Sequence, residues 1–438
     1  MVKKLARRQL LRRSLLAGAW VVAPGVLARG GSPNEKLSVA VIGVGGRGAV
    51  NLEAVQGENV VALCDVDEQR AGGVFERFPK ARKYHDFRRM LEGMDRQIDA
   101  VVVSTPDHTH AVAGVMAVHL GKHVYCEKPL AHSVHECRVM AEVAARKKVA
   151  TQLGTQRHVW ANHRRVVELV RSGTIGPVEA CHVWIGGSRG GGERPKDVPP
   201  VPPHLKWDLW LGPAPERPYH PVYAPYGWRF WWDFGTGETG NLGCHDLDTP
   251  FEALSLSHPT AIEAEGPPVH PETTPRWISV RYEFPARGNQ PPLVLTWCHG
   301  RKPAALPAEQ RSRWSYGMLF VGSKGMLLAD LYTWVLLPES RFPDLRAPKQ
   351  PRPKAGGFSW EPDSVAHYRE WLTACKTGSP TACHFGYAGP LTETVLLGNV
   401  AFRVGEKLRW DAKNLKAASC PRAEELLRRP YRQGWSLG

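Results

Sequence analysis

With 438 residues and 42% apolar content, the chain can bury a large core and is long enough for two domains. It carries 57 Lys and Arg against 42 Asp and Glu, a net charge of +15, yet has no basic run interleaved with aromatics, so the charge does not point to nucleic acid. No interior stretch is apolar enough to span a bilayer, and nine scattered cysteines without a C-x-x-C pair give neither a disulfide framework nor a zinc site.

Residues 1–30 hold Lys3, Lys4, Arg7, Arg8, Arg12, Arg13 and Arg29 and no acid. Arg7-Arg8-Gln9-Leu10-Leu11 precedes a modest apolar segment, Ser14 to Val22, and the small-residue stretch Val26-Leu27-Ala28 follows Pro24. This pattern is expected to be a twin-arginine export signal delivering a folded protein to the periplasm; the alternative is an uncleaved basic arm.

An apolar run, Val39 to Ile42, stops at Gly43, Gly45 and Gly48, and a second, Val60 to Leu63, ends at Asp65. Strand, glycine turn, helix, strand and acid make the G-x-G-x-x-G fingerprint of a dinucleotide site. Gly43 makes the turn, Gly45 and Gly46 let the backbone approach a pyrophosphate, and Gly48 lets helix pack on strand. Asp65 is placed to accept ribose hydroxyls and would repel a 2′-phosphate, favouring NAD; Arg47 inside the turn leaves NADP possible.

Further strands are expected at Ala100–Val103, His123–Cys126 and Val149–Leu153, with a helix capped by Asp86 and another opened by the capping box Ser133 to Glu136. The fold class is therefore α/β: a doubly wound parallel sheet over residues 37–160, its ligands along the carboxyl ends of the strands. After a helix at Asn162–Ser172 the texture changes. Val178–Ile185, Trp277–Phe284, Leu293–His299, Met318–Val321 and Leu327–Leu337 are β-rich runs between Pro/Gly-rich loops, and helices are expected at Ser364–Lys376 and Leu391–Gly405. Residues 161–438 thus read as an α+β domain on a large, mostly antiparallel sheet, whose open apolar face would pair copies into a homodimer or homotetramer.

Three stretches fall where such a sheet places chemistry: Thr105-Pro106-Asp107-His108-Thr109-His110, Glu127-Lys128-Pro129, and Trp228-Arg229 followed by Asn241-Leu242-Gly243-Cys244-His245-Asp246-Leu247-Asp248. On one continuous helix Asn241, His245 and Asp248 share a face. His110 either touches the cofactor or packs its helix start. Arg157 and His158, just past a strand end, and Arg229, a possible anion or hydroxyl ligand, are further substrate contacts, with Trp228 as part of an aromatic platform. His245, Asp246 and Asp248 point to differing faces, so no metal is expected.

These stretches, in this order and spacing, resemble the glucose–fructose oxidoreductase/inositol dehydrogenase/MocA (Gfo/Idh/MocA) family over most of the chain after residue 30. The resemblance implies an NAD(P)-dependent oxidoreductase acting on a sugar hydroxyl. Lys128 would be the catalytic lysine, Glu127 would orient the cofactor, Pro129 would follow a cis peptide, and His245 would be the catalytic histidine. Many members carry aspartate where this chain has Asn241, and an amide cannot take a proton. Export implies a tightly held cofactor oxidised and reduced within one cycle, as in a coupled oxidoreductase. A glycosidase working by transient oxidation is the alternative, and a non-catalytic sugar-binding protein a second.

Overall fold

The computed structural model describes residues 35–348, 364–418 and 420–438. The expected export segment, 1–30, lies outside them.

Six strands, β1 (Ser38–Ile42), β2 (Asn59–Cys64), β3 (Arg82–Tyr84), β4 (Ala100–Val103), β5 (His123–Cys126) and β6 (Thr151–Leu153), form a wholly parallel sheet in the order β3-β2-β1-β4-β5-β6. Helices α1 (Arg47–Val55), α2 (Glu68–Arg77), α3 (Phe87–Gly93), α4 (Asp107–His119) and α5 (Val134–Lys147) make the connections. The order reverses between β1 and β4, which opens a crevice at their carboxyl ends. β3 was not anticipated: Arg82-Lys83-Tyr84 is a short edge strand with no apolar run to betray it. The Asp86 carboxylate accepts the Arg88 N–H at 2.9 Å, and the Ser133–Glu136 capping box closes in both directions.

α6 (Ala161–Arg171) leads into a nine-stranded sheet ordered β13-β12-β11-β7-β10-β9-β8-β14-β15. Its strands are β7 (Val178–Ile185), β8 (Ala261–Glu265), β9 (Ile278–Phe284), β10 (Leu293–His299), β11 (Tyr316–Gly322), β12 (Gly325–Ala329), β13 (Trp334–Leu337), β14 (Leu408–Asp411) and β15 (Lys416–Ala417). Every neighbouring pair is antiparallel except β7 with β10. The run expected as one strand at Leu327–Leu337 is a hairpin, because the Asp330 carboxylate accepts the N–H groups of Tyr332 and Thr333 and turns the chain.

The helices of this half are α7 (Trp207–Leu211), α8 (Gly237–Asp246), α9 (Asp248–Ala253), α10 (Val365–Thr377), α11 (Phe385–Val404) and α12 (Glu424–Leu427). α11 is buried nearly all round, against β8 and the β9 side chains Val280 and Tyr282, and against α5 and α8. It begins six residues before the expected Leu391. Pro390 sits in its second turn, where its missing N–H forfeits a single bond, so the proline does not stop the helix. α10 returns to the parallel sheet, where Tyr368 and Trp371 join the core of Val39, Val41 and Tyr125.

The outer face of the second sheet is mixed: Ser279, Arg281, Glu283 and Thr296 lie on it from β9 and β10, beside half-buried Val294, Val321, Met326 and Val335, and Leu306 and Trp314 cover the part around β7, β11 and β12.

Candidate active site

A cleft of about 810 Å³ runs along the carboxyl ends of β1, β2, β4 and β5 and on to α8. That is at the upper end of the roughly 300–1,000 Å³ usual for one ligand, as a dinucleotide with a sugar beside it requires. Gly43, Gly45, Gly46 and Arg47 line one end. Gly43 (φ 79°) could take no Cβ, since it would stand 2.8 Å from the Ser104 carbonyl; a Cβ on Gly48 would stand 1.7 Å from the Gly43 carbonyl oxygen. Gly48 is thus a packing residue and does not line the cleft. α1 has no side-chain cap, so its first N–H groups and its dipole remain available to an anion. Asp65 lines the same end, and its carboxylate accepts the N–H groups of Val44 (2.8 Å), Gly45 (3.0 Å) and Asp67 (3.0 Å). It therefore shapes the glycine turn and keeps acceptor capacity for a ribose. Thr105 and Pro106 line the middle, and the Thr105 hydroxyl is buried without a protein partner. The donors, the open cradle and this orphaned hydroxyl fit a bound dinucleotide.

Glu127 is buried at the centre and accepts from Arg47 Nε (3.1 Å), Asn51 Nδ2 (3.0 Å) and Gln156 Nε2 (2.8 Å). Burial opposes its charge, but Arg47 and Asn51 outweigh it and hold the carboxyl below its ordinary range. A Cβ on Gly154 would stand 2.7–2.8 Å from this carboxylate, which is why the strand end there is glycine. The Tyr368 hydroxyl, from α10, donates to Asn51 and accepts from Arg47.

Lys128, before a cis peptide to Pro129, reaches α8. Its Nζ donates to the Asn241 carbonyl (2.5 Å) and to Asn241 Oδ1 (2.8 Å). Burial and the Arg229 charge push its ammonium down to about 8. One turn along α8, His245 lines the cleft with its Nδ1 buried and unpartnered. Burial, Arg157 and Lys128 hold this imidazole well below its ordinary value, hence neutral. Arg157 lines the cleft and pairs with Asp246 at 3.2 Å; burial pushes that carboxyl up to about 6. Trp228, Arg229 and Asn241 complete this end.

Two expected substrate contacts lie elsewhere. α8 ends at Asp246 because Pro250 has no N–H to offer the Asp246 carbonyl, and the chain restarts as α9. Asp248 therefore leaves the Asn241–His245 face and meets His158 behind the cleft. His158 Nδ1 is 2.9 Å from Asp248 Oδ2, the Tyr387 hydroxyl donates to Asp248 Oδ1 at 2.6 Å, and His163 Nε2 is 2.7 Å from Glu252. Burial opposes the His158 imidazolium, but Asp248 outweighs it and pushes the group up to about 12. Ligand atoms of His158, His163 and Asp248 lie within 4.8 Å of one another, a spacing a metal could bridge, yet hydrogen bonds already engage each side chain.

His110 also faces away, its ring nitrogens 2.7 Å from the Pro129 carbonyl and 2.8 Å from that of Thr105. It ties together the two turns that carry the site, and Pro129 shapes the Lys128 turn without lining the cleft. The sequence reading missed Asn51, Gln156, Tyr368 and Asp107. Gln156 and Asp107 adjoin residues singled out; Tyr368 lies more than 100 residues beyond the last of them, Asp248.

Residues 37–155 match the model of an oxidoreductase family's NAD-binding Rossmann fold, and residues 181–293 match that family's C-terminal alpha/beta domain. Inositol 2-dehydrogenase of Rubrobacter xylanophilus is 40% identical over 157 residues, 34% of this chain and 44% of that protein. The 1,5-anhydro-D-fructose reductase of Ensifer adhaerens is 31% identical over 183 residues, 39% of this chain and 45% of that protein. The matched segment thus spans less than half the length of these relatives. Among solved structures, GenD2 from gentamicin A biosynthesis, in complex with NAD, has a TM-score of 0.58 at 20% identity, covering 89% of this chain and all of that one. A levoglucosan dehydrogenase in complex with NADH has a TM-score of 0.59 at 16% identity, covering 85% and 98%. Likeness at such identity speaks for the fold. Together the two matches span just over half of the chain, which belongs to the Gfo/Idh/MocA oxidoreductase family.

Proposed function

We propose that this protein oxidises a hydroxyl group of a sugar or polyol, with NAD as the hydride acceptor. The observation that carries the reading is the pair Lys128 and His245, both half-buried, projecting into one cleft beside the glycine cradle. The cradle of Gly43 to Arg47 with Asp65, Thr105 and Glu127 would hold NAD, which supplies the hydride-accepting ring when bound. His245, neutral and lining the cleft, takes the hydroxyl proton. Lys128 donates to the same oxygen and stabilises the developing carbonyl, held in place by Asn241. Asn241 positions Lys128 and accepts no proton of its own.

Relatives named for inositol, 1,5-anhydro-D-fructose and levoglucosan support the polyol class. The Arg7-Arg8 segment supports export by the twin-arginine route to the periplasm. No NAD pool is expected there, so the cofactor is retained through the cycle and passes its hydride on to a second carbonyl compound. Protein loaded with NAD, incubated with a panel of sugars and polyols and followed through one turnover by the near-ultraviolet absorbance of NADH, tests the activity. No reduction with any of them overturns it. Nucleotide lost on simple dialysis of the exported protein overturns the retained cofactor.

A further inference from the structure

We propose that the substrate is an acidic sugar, a uronate or sugar acid, and that Arg229 binds its carboxylate. This rests on the oxidoreductase reading above and adds the substrate class to it.

Five arginines line the cleft, and their partners differ. Arg70 packs against Gly45 and Gly46 at the nucleotide end. Arg47 is paired with Glu127, Arg157 with Asp246, and Arg189 with Glu238. Arg229 makes no ion pair with a carboxylate among the described residues. Its one hydrogen bond is from Nη1 to the Tyr226 carbonyl at 3.2 Å. Its guanidinium lies 4.2 Å from the ring centroid of Tyr226 and 4.2 Å from that of Trp228. Two aromatic rings thus hold the planar fork without using up its donors. The segment is pinned below as well: a Cβ on Gly235 would stand 2.5 Å from the Arg229 Cα, so the backbones touch there.

A half-buried guanidinium that spends few of its N–H groups carries a desolvation cost that an oxyanion would offset. The neighbourhood sets which oxyanion. Arg229 shares the cleft end with Lys128, Asn241 and His245, so a group held there belongs to the molecule being oxidised and not to the nucleotide. The acid acting most strongly on Arg229 is Asp107, whose carboxylate accepts the Thr236 hydroxyl at 2.7 Å and makes no ion pair with the guanidinium. Arg229 and the Lys128 ammonium set against Asp107 leave one net positive charge, which matches a planar, singly charged carboxylate. A phosphate dianion would leave a negative charge unmatched beside Asp107.

The test uses the full chain loaded with NAD, with glucuronate, galacturonate and gluconate set against glucose, galactose, the uronate amides and glucose 6-phosphate. Oxidised product is measured by mass. Wild type should prefer each carboxylate over its neutral counterpart roughly 10- to 100-fold in kcat/KM, the span of one charge-assisted interaction. In Arg229→Gln that ratio should fall to about one, and Arg229→Lys, which keeps charge but loses the fork, should lie between. If Arg229→Gln does not fold, free acetate and glucuronate as competitive inhibitors of wild type give the same answer, and neutral glucose should compete more weakly. Neutral sugars turned over as well as the acids, glucose 6-phosphate preferred, or the preference kept in Arg229→Gln would each overturn the inference while leaving the oxidoreductase standing. Turnover of none of these would instead overturn the oxidoreductase reading.

Discussion

The stretch Asn241 to Glu252 feeds two polar clusters that differ in one respect. At its start, Asn241 and His245 face the cleft with Lys128, and His245 Nδ1 has no partner. At its end, Asp248 and Glu252 meet His158, His163 and Tyr387, all of them hydrogen-bonded. Both clusters are rich in histidine and acid, and a sequence shows them as one. The first lines an open cleft, where a substrate can meet its side chains. The second spends its capacity internally, so removing a member strands a buried charge instead of a reactant.

Substitutions on either side separate the two roles. Lys128→Ala should lower kcat by roughly 10³-fold, and His245→Asn by about 10²–10³-fold, with unfolding midpoints close to wild type in denaturant titrations. His158→Ala should do the reverse, destabilising the fold by about 3–5 kcal/mol while the folded fraction keeps kcat within a few-fold. A stable but inactive His158→Ala protein would erase the contrast.

The pH profile sharpens it. The Lys128 ammonium, lowered to about 8, donates below that value and loses its proton above it. The kcat/KM profile should therefore fall on the basic side with a limb near 8. Arg229 is the charge that lowers Lys128 after burial, so Arg229→Gln should move the limb upward. His245 is neutral throughout, and no acid limb should appear near the ordinary imidazole value of about 6.5. The smallest effect is expected at Thr105, whose buried hydroxyl has no protein partner. Thr105→Val should raise the Kd for NAD about 2- to 10-fold, one ordinary hydrogen bond, with no loss of stability.

The glycine turn, Asp65, Glu127, Lys128 and His245 were legible because each sits at a strand end or helix turn that local pattern announces. Most strands of the parallel sheet were legible for the same reason: β4, AVVV, can only be a buried strand. Legibility failed where distant chain decides. Asp248 looked continuous with His245 until Pro250 ended the ladder, and His158 found its partner across 90 residues. His110, in the same turn as Thr105, spends its ring on carbonyls that only the folded backbone brings near. The polar outer face of β9 followed an alternation that was visible in Ile278–Phe284, but which side met α11 was not.

Tyr368 and Trp371 bear on how such proteins can be recombined. Their helix, α10, comes from the far end of the chain, yet Trp371 is fully enclosed in the core of the parallel sheet and Tyr368 bonds to Asn51 and Arg47. A graft of residues 37–160 onto another partner would leave that hollow unfilled, with the Arg47 and Glu127 wall losing its brace. A chimera that keeps its grip on a nucleotide has to inherit α10 with the glycine turn, so the unit of exchange is discontinuous in the chain.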